Sequence, residues 1–166
     1  AAGATALKGC TYTRSAGETV RLGVIGVGGR GMGNWPAMVN CGGVRIAAMC
    51  DVDSAFLDAA KKWYADKGLK SDFTTYADYR KMLETEKGLD AVVVSTPDHT
   101  HARAAIQAMK LGCHVYVEKP LVRTVWEARY FKRIAREYGV VTQMGNHGSA
   151  KDGLRRGVEI LRSGIL

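Results

Sequence analysis

The chain has 166 residues, of which 46% are hydrophobic and 24% charged, a balance that is ordinary for a single globular domain with its own core. It contains no run of 18 or more apolar residues, so the sequence predicts no membrane span. The net charge is +8, and whether it implies an anionic partner depends on how the charges are arranged.

Part of the positive charge lies on one predicted helix, where a set of basic residues shares a face at helical spacing: Arg129, Lys132, Arg133 and Arg136. Such a face is typical either of an anion or nucleic-acid site or of a solvated outer helix surface. No basic ribbon interleaved with aromatic residues accompanies it. We therefore predict a solvated surface and no nucleic-acid partner.

Residues 1–19 are small, polar and unpatterned. They fit either the remnant of a removed export signal or a disordered leader. The charged first part and long apolar centre of an export signal are missing. Both the cytoplasm and the bacterial periplasm therefore stay open as locations.

The four cysteines show neither a C-x-x-C motif nor the spacing of zinc ligands: Cys10, Cys41, Cys50 and Cys113. Cys50 and Cys113 fall in or beside predicted strands, where a free cysteine behaves as a small hydrophobe. We predict no disulfide framework and no metal site.

From residue 20 onward, apolar runs alternate with helical patterns. Strands are predicted at 20–26, 44–51, 91–95, 114–118 and 140–144, with a short extended piece at 73–75. Helices are predicted at 34–41, 53–67, 76–85, 100–111, 124–138 and 152–165. Nearly continuous apolar strands separated by helices are typical of a parallel sheet covered on both faces. The predicted fold class is α/β: a doubly wound, mostly parallel sheet of about six strands in three α/β/α layers, the Rossmann architecture.

Single residues predict several helix boundaries. Asp53 or Ser54 is expected to cap the second helix, and Asp98 and Thr100 the fourth. Pro36 is expected in the first turn of the first helix. The fifth helix is expected to turn one set of residues inward: Ala128, Phe131, Ala135 and Tyr138.

The first motif is a glycine turn between the first strand and the first helix. Gly26, Gly28 and Gly31 match G-x-G-x-x-G, with Gly29 and Arg30 between them. Gly26 permits the tight turn, bare Gly28 permits close approach of a pyrophosphate, and Gly31 permits close helix–strand packing. The helix N-terminus then offers N–H donors to the phosphates. The motif predicts a dinucleotide site.

A second feature is the acid at the end of the second strand. Asp51 lies twenty residues after Gly31, where a carboxylate can accept hydrogen bonds from ribose hydroxyls and repel a 2′-phosphate. The guanidinium of Arg30 could instead bind that phosphate. The sequence favours NAD over NADP.

Three further segments follow predicted strands and so belong at the carboxyl edge, where such sheets bind ligands. Residues 95–101 are expected to form a loop along the cofactor. His99 and His101 in it are two apart and do not make a metal pair. Glu118 and Lys119 are presented just before Pro120, and Asn146 offers an amide suited to a nicotinamide or ribose edge.

This ordered set of motifs resembles the glucose–fructose oxidoreductase / inositol dehydrogenase / MocA (Gfo/Idh/MocA) family. The family joins the glycine turn, the acid after strand two, a P-[DN]-x-x-H segment and E-K-P in this order. Here these are 26–31, Asp51, 97–101 and 118–120, and the resemblance covers about residues 20–166. It implies a Rossmann domain holding NAD, or less favourably NADP, in an oxidoreductase that moves hydride to or from a sugar or polyol hydroxyl.

The resemblance also implies roles for single residues. Lys119 would be catalytic, near the nicotinamide, and Glu118 would contact the nicotinamide ribose. Pro97 and His101 would line the cofactor together with Ser95 and Thr96. In NAD-dependent glycosidases of this family, which oxidise their substrate transiently, the residue matching Asn146 contacts NAD.

Family members carry a C-terminal domain that supplies the substrate pocket, a catalytic histidine and most subunit contacts. We therefore expect 1–19 to be a leader, 20–150 the Rossmann domain, and 151–166 the start of a connection to that domain. The chain alone is expected to bind cofactor without turning over a sugar or polyol substrate. Whether the whole protein is a monomer or a homo-oligomer stays open. The alternatives are an NAD-dependent glycosidase and a non-catalytic NAD-binding module.

Overall fold

In the computed structural model, residues 19–165 are described. Six strands form one sheet: β1 (Val20–Ile25), β2 (Val44–Cys50), β3 (Thr74–Tyr76), β4 (Ala91–Val94), β5 (His114–Glu118) and β6 (Thr142–Gly145). Every pair of neighbours is parallel, in the order β3-β2-β1-β4-β5-β6. The chain winds outward from β1 in one direction and then from β4 in the other. This strand order is that of the doubly wound Rossmann fold, the architecture predicted from the sequence.

Six α-helices connect the strands or follow them: α1 (Gly31–Asn40), α2 (Ser54–Asp66), α3 (Tyr79–Thr85), α4 (His101–Lys110), α5 (Val125–Glu137) and α6 (Asp152–Arg162). Two short 3-10 helices, Asp98–Thr100 and His147–Ala150, precede α4 and α6. None of the helices within residues 19–165 combines the length and the apolar character that crossing a membrane requires.

The helix boundaries correct three expectations. Helix α1 begins at Gly31 rather than at residue 34, so Pro36 lies beyond its first turn. Asp53 caps α2 as expected, accepting the N–H of Ala55 at 2.9 Å. Thr100 does not cap α4, because its hydroxyl donates instead to the carbonyl of Pro97 at 2.8 Å. Asp98 does not cap it either, because it begins the 3-10 turn before α4.

The sheet separates two apolar cores. One lies under α3, α4 and α5 and contains Val94, Val117 and Phe131. The other lies under α1 and α2 and contains Val24 and Trp35. Alternate residues of one strand serve opposite faces, which is why the strands read as continuous apolar runs.

The outer face of α5 is solvated as predicted, since all four of its basic residues are exposed. Its inner face differs from the expectation in two positions. Ile134 is buried beside Phe131, whereas Ala128 is exposed. Cys50 behaves as the expected hydrophobe, because burial, followed by the charges of Asp51 and Asp78, raises the pKa of its thiol to about 12. Cys10 lies outside the described residues.

Candidate functional site at the carboxyl edge of the sheet

The strands end level with one another at their carboxyl edge. In the register of the sheet, Ile25 lies beside both Cys50 and Val94, and Glu118 lies beside Gly145. The residues that follow these strands are therefore neighbours in space although they are far apart in sequence. This edge brings together the glycine turn, Asp51, Ser95, Glu118 and Asn146.

The glycine turn needs its first and third glycines for its own geometry. Gly26 has a φ of 85°, and a Cβ there would lie 2.7 Å from the carbonyl carbon of Ser95. A Cβ on Gly31 would collide with the carbonyl oxygen of Gly26. Both roles, the tight turn and the close packing, agree with the sequence analysis.

The second glycine, Gly28, packs against a side chain that the motif does not include. A Cβ there would lie 2.5 Å from the ring of Phe56 in α2, which is 41% exposed. Phe56 therefore covers one face of the turn. Close approach of a pyrophosphate to Gly28 stays a prediction.

Asp51 ties the end of β2 to the glycine turn. Its Oδ2 accepts the N–H groups of Val27 at 2.8 Å and Gly28 at 3.1 Å. Its Oδ1 accepts the N–H of Asp53 at 3.1 Å. A carboxylate has about four lone-pair positions, so Asp51 can hold the turn and still accept from a ligand hydroxyl.

Glu118 is the most enclosed acid of the site, with 3% of its surface exposed. Its Oε1 accepts from Asn34 Nδ2 at 2.9 Å and from Arg30 Nε at 3.1 Å. Its Oε2 accepts the backbone N–H of Lys119 at 3.2 Å. Burial raises the pKa of this carboxyl, but the hydrogen bonds from Asn34, Arg30 and Lys119 outweigh burial and hold the pKa below its ordinary value.

Glu118 packs so closely against Gly145 that a side chain at position 145 would not fit. A Cβ on Gly145 would lie 2.7 Å from Glu118 Oε1 and 2.9 Å from the hydroxyl of Tyr116. Burial and then the charge of Glu118 raise the pKa of Tyr116, so its hydroxyl stays protonated. A neutral phenol beside the carboxylate can donate to it.

Arg30 reaches across the edge from the glycine turn. Besides Glu118, its Nη2 lies 3.3 Å from His147 Nδ1, after β6. The Arg30 side chain is 44% exposed, whereas the Glu118 side chain that it contacts is 4% exposed. Arg30 thus links the turn to β5 and to the segment after β6.

His101 is buried, with 1% of its surface exposed. Its Nε2 lies 2.7 Å from the carbonyl oxygen of Thr96, and its Nδ1 lies 2.7 Å from that of Pro120. The side chain braces the loop after β4 against the loop after β5. Its expected place along the cofactor stays a prediction.

The remaining predicted residues lie on the rim. Lys119, Pro97 and Asn146 are exposed at the ends of β5, β4 and β6, and Ser95 and Thr96 are half-buried. The peptide bond between Lys119 and Pro120 is cis. Within residues 19–165, no three His, Cys, Asp or Glu side chains lie close enough to hold a metal ion.

The sequence analysis gave no role at this edge to Asn34, Tyr116, Gly145 or His147. Of these four, only Asn34 shows a local pattern, because it is a polar residue directly before the apolar run Trp35–Val39. It is buried although it is polar, with 6% of its surface exposed. The other three make contacts that depend on strand pairing, which no local pattern reveals.

Two observations test whether a dinucleotide fits this edge. In the described part of the chain, the backbone N–H groups of Gly29 and Arg30 donate to no protein acceptor, which suits them to phosphate oxygens. The buried Thr96 Oγ1 likewise has no protein partner among these residues. Donors at the glycine turn therefore suit the pyrophosphate at the centre of a dinucleotide, and the unpaired hydroxyl across the crevice suits a polar group of one of its two halves.

The doubly wound sheet, with a glycine turn and an acid at its switch point, defines a dinucleotide-binding domain. A sequence model of the oxidoreductase family with an NAD-binding Rossmann fold, Gfo/Idh/MocA, matches residues 20–146. The chain therefore belongs to the Gfo/Idh/MocA family and comprises its NAD-binding domain.

Two relatives from Shewanella are similar in sequence. A glycosyl hydrolase family 109 protein of Shewanella pealeana is 39% identical over 112 residues, covering 66% of this chain and 25% of the relative. An alpha-N-acetylgalactosaminidase of Shewanella oneidensis is 39% identical over 113 residues, covering 66% and 24%. The chain spans about a quarter of the length of these relatives.

Solved structures of two inositol dehydrogenases share the fold. Myo-inositol 2-dehydrogenase from Lactobacillus plantarum aligns with a TM-score of 0.76 and 30% identity, covering 89% of this chain and 42% of that one. Scyllo-inositol dehydrogenase from Lactobacillus casei, with bound NAD(H) and scyllo-inositol, aligns at 0.74 and 22% with the same coverage. The match therefore accounts for nearly all of this chain and less than half of either dehydrogenase.

Proposed function

We propose that this chain is the cofactor half of an enzyme that transfers hydride between NAD and a sugar or polyol hydroxyl. The observation that carries the proposal is the alignment of the glycine turn, Asp51 and Glu118-Lys119 along one carboxyl edge. Similarity to an inositol dehydrogenase at 30% identity supports the substrate class. The substrate-binding half would follow the connection that we propose at 151–166.

The cofactor would lie along the edge with its two ends on opposite sides of the β1–β4 crevice. The free N–H groups of Gly29 and Arg30 would hold the pyrophosphate. Asp51 would accept from the adenosine ribose through its remaining lone pair. Glu118 would accept from the nicotinamide ribose, and the exposed Asn146 would offer its amide to the nicotinamide.

We further propose NAD rather than NADP. Asp51 places negative charge where a 2′-phosphate would lie. Arg30, the residue that could neutralise such a phosphate, is instead paired with Glu118 at 3.1 Å. Its guanidinium lies against Glu118 at the end of β5 and His147 after β6.

When bound, NAD would supply the hydride acceptor. The chain contributes position and proton handling: Lys119, exposed at the end of β5 directly after Glu118, would polarise the substrate hydroxyl or take its proton while hydride leaves the carbon. His101 holds the loops on either side of this position, so Lys119 projects from a fixed backbone.

The test uses the complete protein that contains this chain. Lys119→Met is expected to lower kcat by about 10²–10⁴-fold while NAD binding stays within a few-fold. The control is Lys70→Met, an exposed lysine on the loop after α2, which should leave kcat unchanged. An unchanged kcat in Lys119→Met would remove this residue from the chemistry.

A second candidate is a glycosidase that oxidises its substrate transiently, supported by the 39% identity to the alpha-N-acetylgalactosaminidase. Both candidates use the same hydride position and differ in stoichiometry. A dehydrogenase forms one NADH per sugar oxidised. A glycosidase releases sugar while its NAD is not consumed. If the complete protein binds NAD and shows neither activity on a panel of sugars, polyols and glycosides, a non-catalytic binding module is the remaining interpretation.

A further inference from the structure

Asn34 joins three elements at the centre of the site. It lies in the first turn of α1, and its Nδ2 donates to Glu118 Oε1 at 2.9 Å and to Ser95 Oγ at 3.0 Å. Ser95 follows β4 and Glu118 ends β5, so one amide group spans the crevice between the two halves of the sheet. The side chain is 6% exposed, and a buried amide is retained where its hydrogen bonds are satisfied.

The donors around Glu118 fix the orientation of its carboxylate. Asn34 and Arg30 both donate to Oε1, while Oε2 accepts from the backbone of Lys119. Arg30 is partly solvated, whereas Asn34 is held by the packed helix. Asn34 is therefore the buried side-chain contact of the carboxylate, and Arg30 is the partly exposed one.

We propose that Asn34 is a positioning residue for the nicotinamide half of the cofactor, acting through Glu118. The inference rests on the proposed function, because it takes Glu118 to be a ribose ligand. Asn34 would not contact the adenosine half, whose proposed partners are the glycine turn and Asp51. The proposal therefore predicts a selective loss of affinity. Substitution of Asn34 should weaken the binding of a ligand that has the nicotinamide half, and it should not weaken the binding of ADP, which lacks that half.

The experiment measures NADH and ADP binding by titration calorimetry in the complete protein that contains this chain. Asn34→Ala is expected to raise the Kd of NADH about tenfold, the loss of one hydrogen bond to a charged group, with the Kd of ADP within about twofold. Asn34→Asp is nearly isosteric and sets a carboxylate against Glu118, so its NADH loss should be larger. Asn40→Ala, an exposed residue at the end of the same helix, should change neither ligand.

A double-mutant cycle with Glu118→Ala tests the route of action. If Asn34 acts through Glu118, the double variant binds NADH no more weakly than Glu118→Ala alone. Additive losses would overturn the inference. So would equal losses of ADP and NADH in Asn34→Ala, because Asn34 would then support the glycine turn in general.

An unchanged NADH affinity in both Asn34 variants would also overturn it. Failure of the unaltered complete protein to bind NADH would refute the proposed function itself, together with this inference. The two failures are therefore distinguishable in one set of titrations.

Discussion

At the scale of single residues, the site depends on a carboxylate that is buried and still charged. Three donors surround Glu118, and together they offset the desolvation that burial imposes. An acid in this state can accept from a ribose hydroxyl without first losing a proton. The same donors couple the stability of the fold to the charge of Glu118.

We predict that Glu118→Gln makes the free energy of unfolding depend less on pH in the acid range than it does in the unaltered protein. The folded pKa of Glu118 lies below its ordinary value of 4.5, so its stabilisation is present above about pH 4.5 and is lost as pH falls through the folded pKa. The variant should be less stable by about 1–3 kcal/mol at pH 7, and the gap should narrow below pH 4.5. Urea unfolding between pH 7 and 3 measures this, with Glu159→Gln on the exposed face of α6 as control; a gap that does not change with pH would contradict it.

At the scale of elements, the sequence predicted the six strands and six α-helices of the described residues, but not all of their boundaries and neither of the two short 3-10 helices. Continuous apolar runs such as 91–94 mark buried strands, and Gly26-x-Gly28 marks the turn. The start of α1 was misplaced because the glycines at its N-terminus have low helix propensity, and close packing at Gly31 overrides that preference. Asn34 and Glu118 are 84 residues apart, so their contact arises only once β4 and β5 have paired.

Gly31 should be the least replaceable glycine of the turn. Gly31→Ala is expected to destabilise the fold by about 2–4 kcal/mol, because its methyl group must displace the backbone at Gly26. Gly157→Ala is the matched control, a helical glycine with open space around its Cβ position, where alanine should be neutral or stabilise by up to about 1 kcal/mol. Chemical denaturation of both variants checks this; similar unfolding free energies would show that the turn relaxes freely.

At the scale of the whole molecule, two cores hold the sheet from opposite sides and leave its carboxyl edge free. Residues that follow β1, β2, β4, β5 and β6 all contribute to that edge, so a ligand lying along it would contact both halves. One apolar helix face is not covered by the described residues: Leu154, Val158, Leu161 and Ile165 in and after α6 are exposed. The carboxyl edge is thus built by the sheet and the helices packed against it, whereas the apolar face of α6 is left exposed.

Ligand binding along the edge should stabilise the whole domain, and the two nicotinamide cofactors should differ. NAD at a hundredfold excess over Kd adds about 2.7 kcal/mol, which for a chain of this size raises Tm by about 5–10 °C. NADP should give a smaller shift, because its 2′-phosphate would face the Asp51 carboxylate while Arg30 is held by Glu118.

The Asp51→Ser variant tests the source of that difference. It should reduce the difference in Tm shift between NAD and NADP. It should also lower Tm without ligand, because Val27 and Gly28 lose their acceptor. Differential scanning fluorimetry of both proteins measures the four shifts, and a larger shift with NADP in the unaltered chain would overturn the assignment of Asp51.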